Sequence, residues 1–307
     1  MQNKYIDLRQ KLSVGEMISF YFDFFKQNYK GFTNIFISYN GIFMLLLLGV
    51  SYMLVSGFLG VFNNTTPFSS SDEANSTMLI GFGALVLMLV LILVAALNYS
   101  LTSVYMSKYV NQKGGEIEKK GVWNTVVNNF GKIIVFILLL FLIYIGFVIL
   151  SVILAFIPLI GTIVQYIISF AMGSWFGISF MIMLHEGKSV SDSFGEGWSL
   201  VIKNFWKCVG TNFIISLMVG VLMLLLLSIP SVLIGIYAFH AVDTGVDLSD
   251  SIIAKIIWTI ALCMFLIVLT YSQALSQFAN GILYFSLHEQ TYNENTREKI
   301  EQIGAEE

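Results

Sequence analysis

Along most of this chain apolar positions do not alternate with polar ones; they run on unbroken. No Asp, Glu, Lys or Arg occurs from Gly31 to Ser71, Ala74 to Ser107, Ile133 to Leu184, Cys208 to His240 or Ile256 to His288. Crossing a hydrocarbon core of roughly 30 Å takes about 20 apolar residues. The run from Ile133 to Leu184 is 52 residues. It would make about 78 Å of helix, so it must hold two crossings. The turn between them is predicted at Ile157-Pro158-Leu159-Ile160-Gly161. With one crossing in each remaining run, the pattern predicts an all-α membrane protein with six transmembrane helices.

Between the runs the period changes. After Ser13, the residues Val14, Ile18, Tyr21, Phe22, Phe25 and Tyr29 recur at helical spacing, with Glu16, Asp23, Lys26 and Lys30 on the other side. After Ser189, the stripe is Val190, Phe194, Trp198, Val201 and Phe205. Ser13 with Glu16, and Ser189 with Asp192, have capping-box spacing, in which each residue satisfies a free backbone donor at a helix start. An aromatic apolar face beside basic residues suits a helix lying in the membrane interface.

These segments also define a repeat. Phe22, Asn28 and Tyr29 correspond to Trp198, Asn204 and Phe205, and a shorter copy has Trp123, Asn129 and Phe130. Each copy precedes a pair of apolar runs. Leu184-His185-Glu186 closes the fourth run and Leu287-His288-Glu289 the sixth, while Ile157-Pro158 has a counterpart at Ile229-Pro230. The chain therefore reads as a single membrane domain over 1–307. It consists of three hairpins, each preceded by a cytoplasmic-side amphipathic helix, in a pseudo-threefold repeat. The units span about 13–110, 116–187 and 189–290, and a cytoplasmic tail follows at 291–307.

Composition agrees. Apolar residues make up 57% and charged residues 11%, and the mean hydropathy is +0.80. Soluble domains are typically 45–50% apolar and about 25% charged. Of 16 basic residues, 15 lie on the side of the chain termini and only Lys255 on the other. Basic residues mark the cytoplasmic face, so both termini are predicted to be cytoplasmic. The N-terminus, with Lys4, Asp7, Arg9 and Lys11 ahead of an aromatic stretch, does not have the form of a cleavable signal. The first span is expected to act as its own signal. A polar outer loop is predicted at about 63–77, where Asn63, Asn64 and Asn75 each begin an N-x-[ST] triplet. The excess of 14 Lys over 2 Arg is a bias common in AT-rich bacteria, where such triplets are chance products of a polar loop.

Chemistry is sparse. The sixth run places Gln273, Gln277, Asn280 and Tyr284 on one helix face leading to His288. That face is either the lining of a polar path or a set of amides hydrogen-bonding between helices. Ser169, Gly173 and Gly177 put a small residue at every fourth position, which allows two helices to approach closely. His185-Glu186 and His288-Glu289 could hold a metal, but a histidine at a helix C-terminus is also favoured by the helix dipole. Two cysteines, no phosphate loop and no nucleophile motif lead us to expect no catalytic residue, cofactor or metal. No basic patch is large enough for nucleic acid.

The unit pattern of Ser-Val-x-Glu/Asp, an aromatic, then Asn-aromatic ahead of a span pair resembles a group of bacterial six-span integral membrane families. These are related to the membrane domain attached to some glycerophosphoryl diester phosphodiesterases. In those fusions a separate barrel carries the catalytic acids and metal ligands. The resemblance therefore implies an accessory membrane module and transfers no catalytic residue to this chain. The expectation is a non-catalytic protein of the bacterial inner membrane, an accessory or scaffold subunit or a lipid-interacting module. Its partners would be the bilayer, other membrane-protein subunits or a cytoplasmic protein. The alternative is a small transporter or pore using the polar face of the sixth span.

Overall fold

The computed structural model describes residues 5–63, 70–245 and 251–305, and among them there is no β-strand. The helices are α1 (Val14–Asn63), α2 (Ser70–Asn111), α3 (Lys119–Asn128), α4 (Phe130–Ala155), α5 (Ile160–His185), α6 (Val190–Lys203), α7 (Phe205–Thr244), α8 (Ile252–Tyr292) and α9 (Glu294–Ala305). Six of them, α1, α2, α4, α5, α7 and α8, are long and apolar enough to cross a membrane. Their outward faces carry large apolar side chains, among them Leu142, Leu225 and Phe239, exposed at 64%, 65% and 77%. Water penalises apolar surface on this scale, whereas lipid accepts it. The chain is an all-helical protein compatible with multi-pass membrane insertion.

Local sequence explains the helix starts. The Ser13 amide donates to Glu16 Oε2 at 2.7 Å and the Glu16 amide to Ser13 Oγ at 3.4 Å, a reciprocal capping box. At α6 the Asp192 amide donates to Ser189 Oγ at 3.2 Å. The Asn of each repeated motif shares one interaction. Asn28, Asn129 and Asn204 each donate through Nδ2 to the carbonyl four residues back, of Phe24, Thr125 and Leu200, at 2.9–3.0 Å. A side chain bonding back in this way competes with the helix ladder. The backbone leaves the helix at Asn129 and Asn204, dividing α3 from α4 and α6 from α7.

Two sequence expectations are corrected. The first amphipathic segment is not a separate helix, because α1 runs straight through Asn28. There Asn28 is buried and its Oδ1 accepts from the Tyr105 hydroxyl at 3.0 Å. The buried face of α1 is Met17, Tyr21, Phe24, Asn28 and Phe32, while Phe22 and Tyr29 are exposed. The loop expected at 63–77 is helical from Ser70, so Asn75 lies inside α2, and Asn64 lies outside the described residues. Pro230, the counterpart of the turn residue Pro158, sits inside α7. Ser228 and Ser231 donate there to the carbonyls of Leu225 and Leu227, each at 2.7 Å, on either side of the Leu226 carbonyl that a proline N–H cannot pair.

The chain divides into two compact units. Unit 1 comprises Met1–Phe36, Asn98–Met218 and Ala274–Glu307, and unit 2 comprises Ile37–Leu97 and Val219–Gln273. In unit 1 an aromatic core joins Phe32 to Phe278 at 4.6 Å and Phe24 to Tyr109 at 5.0 Å. Phe136 packs on Phe180 and Phe194 at 4.8 and 4.5 Å. Residues Ile178 to Leu184 of α5 are buried on every side. Helix α6 lies against α5 at Gly197, where a methyl group would overlap the Ser179 side chain.

Unit 1 also gathers the two terminal segments. Asn295 Nδ2 donates to Asp7 Oδ2 and to the Arg9 carbonyl, both at 2.9 Å, and the Leu12 amide donates to Ser286 Oγ at 3.1 Å. Lys11 bonds Asn293. In unit 2 a small core of Leu47, Val90, Val94 and Leu266 is surrounded by partly buried side chains such as Phe43 and Leu262.

Candidate functional site

Polar side chains collect in two places within unit 1. The first is the inner face of α8. Gln277 is fully buried, and its Nε2 donates to Ser103 Oγ of α2 at 2.8 Å and to the Gly177 carbonyl of α5 at 3.0 Å. Asn280 is also buried; its Oδ1 accepts from Asn212 Nδ2 of α7 at 3.1 Å. Asn212 donates in turn to Ser174 Oγ of α5 at 2.6 Å. Four helices are thus fastened by amides and hydroxyls, an arrangement worth about 0.6–2 kcal/mol per bond in a membrane. Gly177 makes this possible, because any side chain there would overlap Asn280.

The sequence candidates distribute as follows. Gln277, Asn280 and Tyr284 come together in unit 1, whereas Gln273 belongs to unit 2. Of the three candidates Ser169, Gly173 and Gly177, it is Gly177 that makes the close approach to α8. Gly173 faces open space, and Ser169 Oγ donates to the carbonyl of Gln165 in its own helix at 2.8 Å.

The second cluster stands where α5, α6 and α8 end or begin. Glu186, the residue after α5, accepts from the Tyr284 hydroxyl at 2.6 Å and pairs with Lys188 Nζ at 2.5 Å. Lys188 also bonds Glu196 of α6. His288 of α8 lies 3.7 Å from Glu186 Oε1 through Nε2, and 3.8 Å from Glu294 Oε2 through Nδ1. Burial pushes the Glu186 carboxyl up. Hydrogen bonds from Lys188 and Tyr284, with the positive charge of Lys188, outweigh burial and hold it below the usual carboxylate range. The same pairing raises Lys188, with Glu186 and Glu196 together overcoming the effect of burial.

Both Leu-His-Glu ends therefore enter one neighbourhood, but with different roles. His185 is tied to Ser107 Oγ through Nδ1 at 2.8 Å. Glu289 accepts from the Asn295 amide at 2.9 Å and from the Thr296 hydroxyl at 2.9 Å, capping α9. Glu186, Glu196 and His288 each offer a metal-ligand atom, all within 4.8 Å of one another. The Lys188 ammonium, bonded to both carboxylates, supplies the balancing charge. What the arrangement does physically is clamp α6 to α5 and α8.

The motif aromatics lie on the surface. Phe22, Tyr29, Trp123, Phe130 and Trp198 are exposed, as is Trp206 beside the half-buried Phe205. The amphipathic rings among them, Tyr29, Trp123, Trp198 and Trp206, are of the kind favoured at the headgroup level of a bilayer. Reasoning from sequence missed the Glu186–Lys188–Glu196 clamp, although Lys188 and Glu196 are eight residues apart in one short stretch. It also missed the clasp of the terminal segments, for which no local signal exists. Comparison with models of protein families, with curated proteins and with solved structures finds no match to this chain.

Proposed function

We propose that this chain is a non-catalytic protein of the bacterial inner membrane, with both terminal segments in the cytoplasm. It serves as an accessory or scaffold subunit, or as a module that engages lipid. The observation that carries this reading is the pose of α6. One face is fixed by Gly197 on Ser179 and by the Lys188 clamp, while Trp198 and Ile202 on the other are exposed at 49% and 50%. A helix held this firmly, with Trp198 and Ile202 half exposed, is built to present a surface. The burial of Gln277 and Asn280, and their bonds to three other helices, supports a fastening role for the α8 amides over a conducting one.

The three amphipathic-helix-plus-hairpin units form part of the same proposal. The common Asn hydrogen bond and the two helix caps support descent from one repeated unit.

Extraction of the full chain in mild detergent, followed by mass spectrometry, tests the reading. A stoichiometric protein partner or retained lipid is expected; a chain recovered free of both refutes it. The double variant Gln277→Leu with Asn280→Leu tests the competing pore. It should weaken helix packing and lower stability while leaving the cellular phenotype of the folded protein unchanged. Loss of phenotype at normal protein level would favour the pore.

A further inference from the structure

Two carboxylates bridged by a lysine are complete as an ion pair. At the junction of α5, α6 and α8 the bridged pair has a third neighbour that the ion pair leaves unexplained. Glu186 accepts through Oε1 from the Tyr284 hydroxyl at 2.6 Å, and Glu196 accepts through Oε1 from the Tyr292 hydroxyl at 3.4 Å. The Oε2 atom of each is bonded by the Lys188 ammonium. Beside them stands His288, with Nε2 at 3.7 Å from Glu186 Oε1 and Nδ1 at 3.8 Å from Glu294 Oε2. Both gaps are longer than a hydrogen bond. Among the described residues the imidazole therefore has no hydrogen-bond partner, although its side chain is only 14% exposed.

We infer that Glu186, Glu196 and His288 form a site for one divalent transition-metal ion of the zinc class, and that the Lys188 ammonium holds its place when the metal is absent. The ligand atoms of the three residues already lie within 4.8 Å of one another. One imidazole and two carboxylates give three protein ligands and leave a fourth position for water, a pattern zinc accepts. The imidazole disfavours Mg²⁺ and Ca²⁺, which take oxygen ligands. Each ligand is also oriented by a further group, as ligands of bound metals are. Tyr284 holds Glu186, Tyr292 holds Glu196, and Glu294 faces the distal nitrogen of His288. Lys188 marks where the two carboxylates gather positive charge. Its side chain is 38% exposed and stands just ahead of the α6 cap, outside both helices. It can swing into water, freeing both Oε2 atoms and opening the way in. The metal would then tie α8 to α5 and α6 through His288, which the lysine does not bond. The site draws one residue from each Leu-His-Glu end, and it holds whether the partner of this chain is a protein or a lipid.

The test uses the full chain in mild detergent, stripped with a chelator and then titrated with Zn²⁺ against a chromophoric competitor. One Zn²⁺ per chain is expected, undisturbed by excess Mg²⁺. Loss of an outer-shell partner alone weakens metal binding about 10–100-fold. His288→Gln and Glu196→Gln, which remove ligands, should each cost at least about tenfold. Glu294→Gln changes a side chain that is 54% exposed, so the fold is not at stake, and it should weaken binding by about tenfold. Lys188→Met separates a metal site from a plain ion pair. With the competing ammonium gone, Zn²⁺ should bind more tightly than to the parent, and should restore this variant's resistance to unfolding by SDS. Zn²⁺ held equally by the parent and by His288→Gln and Glu196→Gln would be adventitious and would overturn the site. So would weaker binding in Lys188→Met, or no saturable binding by either the parent or Lys188→Met.

Discussion

Gly173 and Gly177 lie one helical turn apart on α5, and the structure assigns the same substitution opposite effects at the two positions. In Gly177→Ala, the new methyl group overlaps the Asn280 side chain. Asn280 cannot yield cheaply, because it is buried and holds the amide of Asn212. Overpacking of this kind costs about 1–3 kcal/mol. Loss of the interhelical Asn212–Asn280 bond adds about 0.6–1.7 kcal/mol. The better helix propensity of alanine returns about 1 kcal/mol, leaving a net loss of about 0.6–3.7 kcal/mol. Gly173→Ala meets nothing within 4 Å and should be neutral, or more stable by up to about 1 kcal/mol. Unfolding in mixed micelles with rising SDS, followed by circular dichroism, measures both. A cycle closes the argument: Asn280→Ala should be less harmful in the Gly177→Ala background than alone, because it removes the atoms the methyl strikes. Equal shifts for the two alanine variants, or no rescue in the cycle, would refute the assignment of Gly177 as the point where α5 and α8 touch.

Two further outcomes follow from the same geometry. Ser189→Ala removes the N-cap of α6 and should cost about 1 kcal/mol, read as faster hydrogen exchange at the amides of Val190 to Ser193. Lys188→Met should destabilise the clamp in a pH-dependent way. The folded Glu186 carboxyl lies below its ordinary value of 4.5. Its contribution is therefore full above that value and fades as the pH falls through the lower, folded one. Without the ammonium, Glu186 and Glu196 repel. The variant should be weaker than the parent at pH 7 and approach it below about pH 4, where carboxylates protonate. A constant difference across that range would refute the electrostatic clamp.

What could be read from the chain depended on how local the physics was. The six apolar helices were legible because a single charge in hydrocarbon is expensive, so spans announce themselves by what they exclude. The caps at Ser13 and Ser189 were legible because both partners lie within one turn. The Asn of the repeated motif was visible as a spacing, and the structure supplies its reason, the bond to the carbonyl four residues back. Rotation of α1 was not legible. In a soluble helix the apolar stripe is the buried one, but here Phe22 and Tyr29 are as apolar as Tyr21 and Phe24, and lipid is a satisfactory neighbour for either pair. Helix periodicity therefore loses its power to choose a face once the solvent is itself apolar. Polar residues take over that power. Asn28, Gln277 and Asn280 each need a partner that lipid cannot provide, so each points inward. In α1 and α8 the amide, more than the aromatic stripe, tells which way the helix faces.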